Sequence, residues 1–190
     1  DVFIEDYTSG MQAFLKQWQS LNIQFSGLVT GYLKSSQQIA SLMKFKEKEE
    51  IPLIVDPIMG DNGKLYQGFD TSYVDSMRSL CQKADLILPN LTEACLLAEI
   101  AYEDKVLTEE FLQLLTQRLA TVVGTRRIVL TGLLLSDDQI GIAYFDKEAG
   151  SQLFSGKRFP QQFFGTGDML TALLSSAYLQ GLDLKKVIPM

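Results

Sequence analysis

The sequence predicts an α/β protein built on a mainly parallel sheet. Short, wholly apolar strands alternate with helical stretches along the chain. Three of those strands end on a polar residue: Asp56, Asn90 and Thr131. Continuous apolar runs fit strands buried on both faces, and in such sheets ligands sit beyond the strand carboxyl ends. The three polar ends are therefore expected to converge on one crevice.

The elements follow in order. Residues 7–21 have helical periodicity, with Met11, Phe14, Leu15 and Trp18 on one face. Gly27 to Gly31 is a short strand, and 35–48 a helix charged at its C-terminal end. Ile51 to Val55 is an apolar strand ending on Asp56. Leu86-Ile87-Leu88 ends at Pro89-Asn90, and Ile128-Val129-Leu130 ends at Thr131-Gly132. Helical stretches are expected over about 70–83, 91–100 and 108–123. Ile140 to Phe145 reads as a strand in a hairpin with 151–154. Residues 168–180 form an apolar helix with Gly181 as its stop. Phe163 and Phe164 are expected in the core. No internal repeat or low-complexity linker divides the 190 residues, so residues 1–190 are expected to form a single domain.

Composition excludes several classes. A net charge of -6 without a basic stripe argues against nucleic acid as a partner. No apolar run approaches the ~20 residues that span a bilayer. Cys81 and Cys95 lack metal-ligand spacing and read as two buried thiols in a reducing cytoplasm. The chain has no histidine. That removes a Ser-His-Asp triad, a histidine base and histidine-ligated zinc, and leaves acid–base work to Asp, Glu, Lys, Tyr or Cys.

Gly165-Thr166-Gly167-Asp168 opens the last long helix. Two glycines let backbone approach a ligand, and N–H groups at a helix start favour an anion. Asp168 beside that anion hole could take a proton from a hydroxyl while the amides stabilise a transferred phosphoryl group. The plainer reading is a glycine turn with a helix-start acid. Asp56-Pro57-Ile58-Met59-Gly60-Asp61-Asn62-Gly63-Lys64-Leu65-Tyr66 offers Asp56 and Asp61 as hard oxygen donors for Mg²⁺ held mostly through water. The plainer reading of the same stretch is a polar hairpin with solvated acids, turning at Asn62-Gly63. Asn90 and Glu93 have the spacing of a capping box, and Glu93 could also face a metal-bound phosphate. Tyr32 lies on the ligand side of the sheet, for substrate contact or for packing. A P-loop is excluded. Five residues separate Gly150 from Gly156-Lys157, which Arg158 follows, and two separate Gly60 from Gly63-Lys64, which Leu65 follows.

Taken together, Thr30-Gly31-Tyr32, Val55 to Asp61, Leu88 to Glu93, Val129 to Gly132 and Gly165 to Asp168 fall in the order of the ribokinase-like superfamily's motifs. Within it the chain resembles the pyridoxal kinases, over essentially its whole length. The resemblance implies a three-layer α/β/α fold with a mainly parallel central sheet, and an ATP-dependent kinase in vitamin B6 salvage. The acceptor would be the ring hydroxymethyl of pyridoxal, pyridoxine or pyridoxamine, giving the 5′-phosphate. Asp168 would be the base, with the amides of Gly165, Thr166 and Gly167 as its anion hole. Asp56, Asp61 and Glu93 would position Mg²⁺ and the ATP phosphates, directly or through water. Tyr66, Leu88, Asn90, Thr131 and Gly132 would belong to the nucleotide site, and Tyr32 would lie against the pyridine ring. A homodimer and a monovalent cation such as K⁺ accompany the family. Family members begin with a strand and a glycine-containing loop that have no counterpart before Asp1, and the C-terminal region looks cut, so the domain is expected to be incomplete at both ends. A hydroxymethylpyrimidine kinase shares the chemistry and is the alternative enzyme. A catalytically weak protein that retains B6 vitamers or nucleotide is the alternative from another class, against which the intact Asp168 and its two glycines argue.

Overall fold

The structure, a computed structural model, describes residues 5–103, 106–161 and 165–189. The expectation for Phe163 and Phe164 falls outside them. In chain order the elements are α1 (Thr8–Ser20), β1 (Leu28–Thr30), α2 (Ser36–Lys48), β2 (Leu53–Val55), β3 (Gly60–Asp61) and β4 (Lys64–Leu65). They continue with α3 (Thr71–Cys81), β5 (Leu86–Ile87), α4 (Leu91–Ala98), α5 (Glu109–Val123), β6 (Arg127–Leu134), β7 (Gln139–Asp146) and β8 (Gly150–Lys157). The chain then forms α6 (Thr166–Leu179) and α7 (Leu184–Val187).

The central sheet runs β1-β2-β5-β6-β7-β8. Its first four strands are parallel, and β7 and β8 return antiparallel as the expected hairpin. Side chains alternate across each strand. Leu53, Val55, Ile87, Ile128 and Leu130 enter one core with helices α1 to α5. Ile54, Leu86, Leu88 and Val129 enter a second core with Leu174 and Ala177 of α6 and Leu184 of α7. Helices on both faces make three layers, which is why the central strands are apolar throughout. Cys81 and Cys95 are buried and unpaired, both within the larger core.

Helix starts follow local chemistry. The side chains of Ser35, Asp70, Asn90 and Thr108 accept backbone N–H groups at the starts of α2, α3, α4 and α5. Three expectations need correction. The apolar face assigned to α1 is only partly covered: Leu15 is buried, whereas Phe14 is half exposed and meets the rings of Tyr7 and Trp18 at a tilt. β6 does not stop at Thr131-Gly132 but runs on to Leu134, through an irregular register between Leu130 and Leu133 with Gly132 at φ +67°. The pairing with β7 carries it past the break, which the local sequence could not signal. The last long helix begins at Thr166, so Asp168 sits within its first turn.

Candidate functional site

The polar strand ends do converge. Asp56 follows β2, Asn90 follows β5, and Thr131 in β6 bridges to Asn90 in parallel. With Gly165, Thr166, Gly167 and Asp168 at the start of α6, they line one cleft of about 930 Å³. Tyr66, Leu88, Glu93 and Gly132 also line it. Each of these residues was anticipated from the sequence. Among the described residues no side chain caps α6, and Gly165 at φ +80° turns the chain into it. A Cβ at Gly165 or Gly167 would meet nothing within 4 Å. Packing therefore does not demand glycine at Gly167. Its bare backbone faces open cleft, as an anion-binding helix start requires.

Asp56 is 8% exposed, and its Oδ2 accepts a 2.6 Å hydrogen bond from Thr171 Oγ1, one turn into α6 from Asp168. Burial pushes its carboxyl up to about 6; the Thr171 hydrogen bond opposes the rise and the Asp168 charge adds to it. Glu93, 3% exposed, closes a capping box: its Oε2 accepts from Asn90 N at 2.8 Å while Asn90 Oδ1 accepts from Glu93 N at 2.9 Å. Its other oxygen accepts from Met59 N at 3.2 Å. Burial pushes Glu93 up to about 8, the nearby Asp56 adds to this, and the backbone N–H groups of Asn90, Met59 and Gly60 oppose it. Two buried carboxyls thus lie at the foot of one cleft, and among the described residues no cationic side chain lines it.

Asp61 and Tyr32 stand apart from the lining. Asp61 is exposed on the β3–β4 hairpin, where its oxygens accept from Asn62 N and Nδ2. Tyr32 is half exposed at the end of β1 and packs on Phe69, ring centroids 5.7 Å apart. Among the described residues no group of three or more cysteines and acids is gathered closely enough to hold a metal ion. Asp56, Asp61 and Glu93 are therefore not a preformed cage. Uncompensated buried acids still fit a cation whose remaining ligands are water and phosphate.

Sequence reasoning missed Thr171, whose bond to Asp56 spans 115 residues of chain. It also missed the wall formed by Ile140, Ile142, Leu153 and Phe154 of the β7–β8 hairpin. The alternating apolar pattern of β7 was the available signal for that wall.

A mainly parallel sheet whose strand ends meet a glycine-led helix start and buried acids is the architecture of the ribokinase-like superfamily. Within it, the chain belongs to the phosphomethylpyrimidine kinase family, whose model matches residues 11–190. A solved pyridoxal kinase from Lactobacillus plantarum is 34% identical, with a TM-score of 0.85 over 98% of this chain and 66% of its own. A candidate phosphomethylpyrimidine kinase from Bacteroides thetaiotaomicron, solved with pyridoxal, is 30% identical, with a TM-score of 0.82 over 95% of this chain and 64% of its own. Pyridoxal kinase of Dictyostelium discoideum is 28% identical over 81% of this chain and 54% of its own length. The chain spans about half the length of the curated relatives it matches. No helix among the described residues is long and apolar enough to cross a membrane.

Proposed function

We propose that this chain carries the phosphoryl-transfer site of an ATP-dependent kinase acting on the ring hydroxymethyl of a B6 vitamer. The observation that carries the reading is the glycine-led start of α6, with Asp168 in its first turn, opposite two buried carboxyls in one cleft. Asp168 is exposed to the cleft and takes the hydroxymethyl proton. The amides of Gly165, Thr166 and Gly167 hold the transferred phosphoryl group and the charge that develops on it. Tyr66, Leu88, Thr131 and Gly132, with the apolar β7–β8 wall, enclose the nucleotide. Asn90 contributes by position, since its amide is engaged by Glu93 N and Gly60 O. Asp56 and Glu93 would hold Mg²⁺, with Asp61 on the neighbouring hairpin as a further carboxylate. Mg²⁺, when bound, supplies the positive charge that neutralises the ATP phosphates. Tyr32, at the rim, lies against the substrate ring. A monovalent cation such as K⁺, a homodimeric assembly and a cytoplasmic setting complete the reading.

The pyridoxal kinase relatives and the pyridoxal-bound neighbour support the B6 assignment. The family model supports a second reading, a hydroxymethylpyrimidine as acceptor. Coupled-assay rates with pyridoxal, pyridoxine, pyridoxamine and the hydroxymethylpyrimidine separate the two. Pyridoxal giving no turnover above background would overturn the first. Asp168→Asn is expected to lower turnover at least ~100-fold, the scale of general-base catalysis, with nucleotide binding nearly kept. An unchanged rate removes Asp168 from the mechanism.

A further inference from the structure

The β3–β4 hairpin, Gly60 to Leu65, has two-residue strands that cannot hold themselves in place. It nevertheless leads directly into Tyr66, which lines the cleft. The first turn of α4 grips it at three points. Glu93 Oε1 accepts from Met59 N at 3.2 Å, and Asn90 Nδ2 donates to Gly60 O at 2.9 Å. At the tip, Thr92 Oγ1 accepts from Gly63 N at 2.9 Å. Glu93 and Asn90 line the cleft themselves, but Thr92 does not. Thr92 is 2% exposed, and its hydroxyl holds the hairpin tip across 29 residues of chain. Gly63 needs its glycine twice over. Its φ is +75°, and a Cβ there would come within 2.5 Å of Tyr102 Cδ1. The hairpin tip is thus seated on the Tyr102 ring and tied to Thr92. Tyr66 N in turn donates to Met59 O at 2.9 Å, closing the hairpin base.

We infer that Thr92 is a positioning residue: its hydroxyl fixes the hairpin tip and so the placement of Tyr66 at the nucleotide side of the cleft. The link from hairpin to nucleotide rests on the kinase reading above; the link from Thr92 to hairpin stands on geometry alone. Thr92→Val removes the acceptor while keeping the shape, and leaves Gly63 N–H without its partner. Thr92→Ser keeps the acceptor.

The test is amide hydrogen exchange in the full chain, with ADP affinity measured alongside by titration calorimetry in Mg²⁺. In Thr92→Val, exchange over 60–66 should accelerate about tenfold, the scale of one lost hydrogen bond to a buried group, while β6 keeps its protection. ADP affinity should fall by a similar factor, about tenfold. Thr92→Ser should behave as the unmodified chain in both. Equal exchange over 60–66 in Thr92→Val and the unmodified chain overturns the proposal. So does an acceleration shared by β6, or Thr92→Ser matching Thr92→Val. If Thr92→Val and the smaller Thr92→Ala both fail to fold while Thr92→Ser folds, the hydroxyl supports the core rather than the hairpin, and the proposal is again overturned. An unmodified chain that binds no ADP overturns the nucleotide reading and leaves the exchange result to judge Thr92 by itself.

Discussion

Asp56→Asn should make the unliganded protein more stable at neutral pH. Asp56 is held at about 6 rather than its ordinary 3.8, chiefly by burial. A carboxyl whose folded value is raised favours the folded state while protonated and opposes it once charged. The cost is therefore absent below about pH 4, grows as pH rises through the window from 3.8 to about 6, and is complete above it. At about 1.4 kcal/mol per pH unit, that interval amounts to about 3 kcal/mol. Asparagine removes the charge and keeps an oxygen to accept the 2.6 Å bond from Thr171. For a chain of this size, about 3 kcal/mol corresponds to a rise in Tm of about 6–12 °C. Calorimetric melts of both proteins without ligand, at about pH 7.5 and about pH 4, provide the measurement. The gap should be wide at the higher pH and closed at the lower. Equal melting at about pH 7.5, or a gap that persists on acidification, would refute the assignment of a costly buried charge to Asp56.

Three other outcomes follow from the same cleft. Glu93 is held at about 8, and a cation binds its charged form. Mg²⁺ affinity of the nucleotide-loaded chain should therefore rise as pH climbs from about 6 to above about 8, and a flat calorimetric profile would count against Glu93 facing the metal. Gly167→Ala meets no atom within 4 Å, so denaturant stability should stay within about 0.5 kcal/mol while phosphate-bearing ligands bind at least ~10-fold more weakly. Tight ADP binding by that variant would show that the helix start does not meet the phosphates. Asn90→Ala breaks the capping box and frees Gly60 O, and should cost about 1–2 kcal/mol in urea denaturation. No change in the midpoint would mean that the box carries no stability.

What could be read in the sequence was local. Asp56 and Asn90 stood out because each follows a strand with no polar residue, and burial on both faces enforces that pattern. The glycine-led start of α6 announced itself because φ near +80° at Gly165 is cheap only for glycine. The capping box of Asn90 and Glu93 was legible from its spacing, whereas the caps at Ser35, Asp70 and Thr108 emerged only in the structure. What escaped depends on partners distant in the chain. Thr171 is one more threonine in an apolar helix until α6 lies beside the end of β2. Thr92 looks like the interior of a capping box until the Gly63 amide reaches it. Phe14 fits the apolar face of α1 by spacing, yet the core beneath that helix takes Leu15 and leaves the Phe14 ring half in solvent. The extension of β6 past Gly132 is dictated by β7 rather than by β6 itself.

The two buried carboxyls also make this protein unusually readable by spectroscopy. Because the chain contains no imidazole, the side-chain protons exchanged between about pH 6 and about 8 among the described residues belong chiefly to Asp56 and Glu93. A protonated carboxyl absorbs in the infrared apart from its ionised form and from the amide backbone. Difference spectra across that range would show the cleft taking up or releasing its protons band by band, and the substitutions Asp56→Asn and Glu93→Gln would assign each band to one residue. Adding nucleotide during such a titration would show directly whether a ligand draws either proton out.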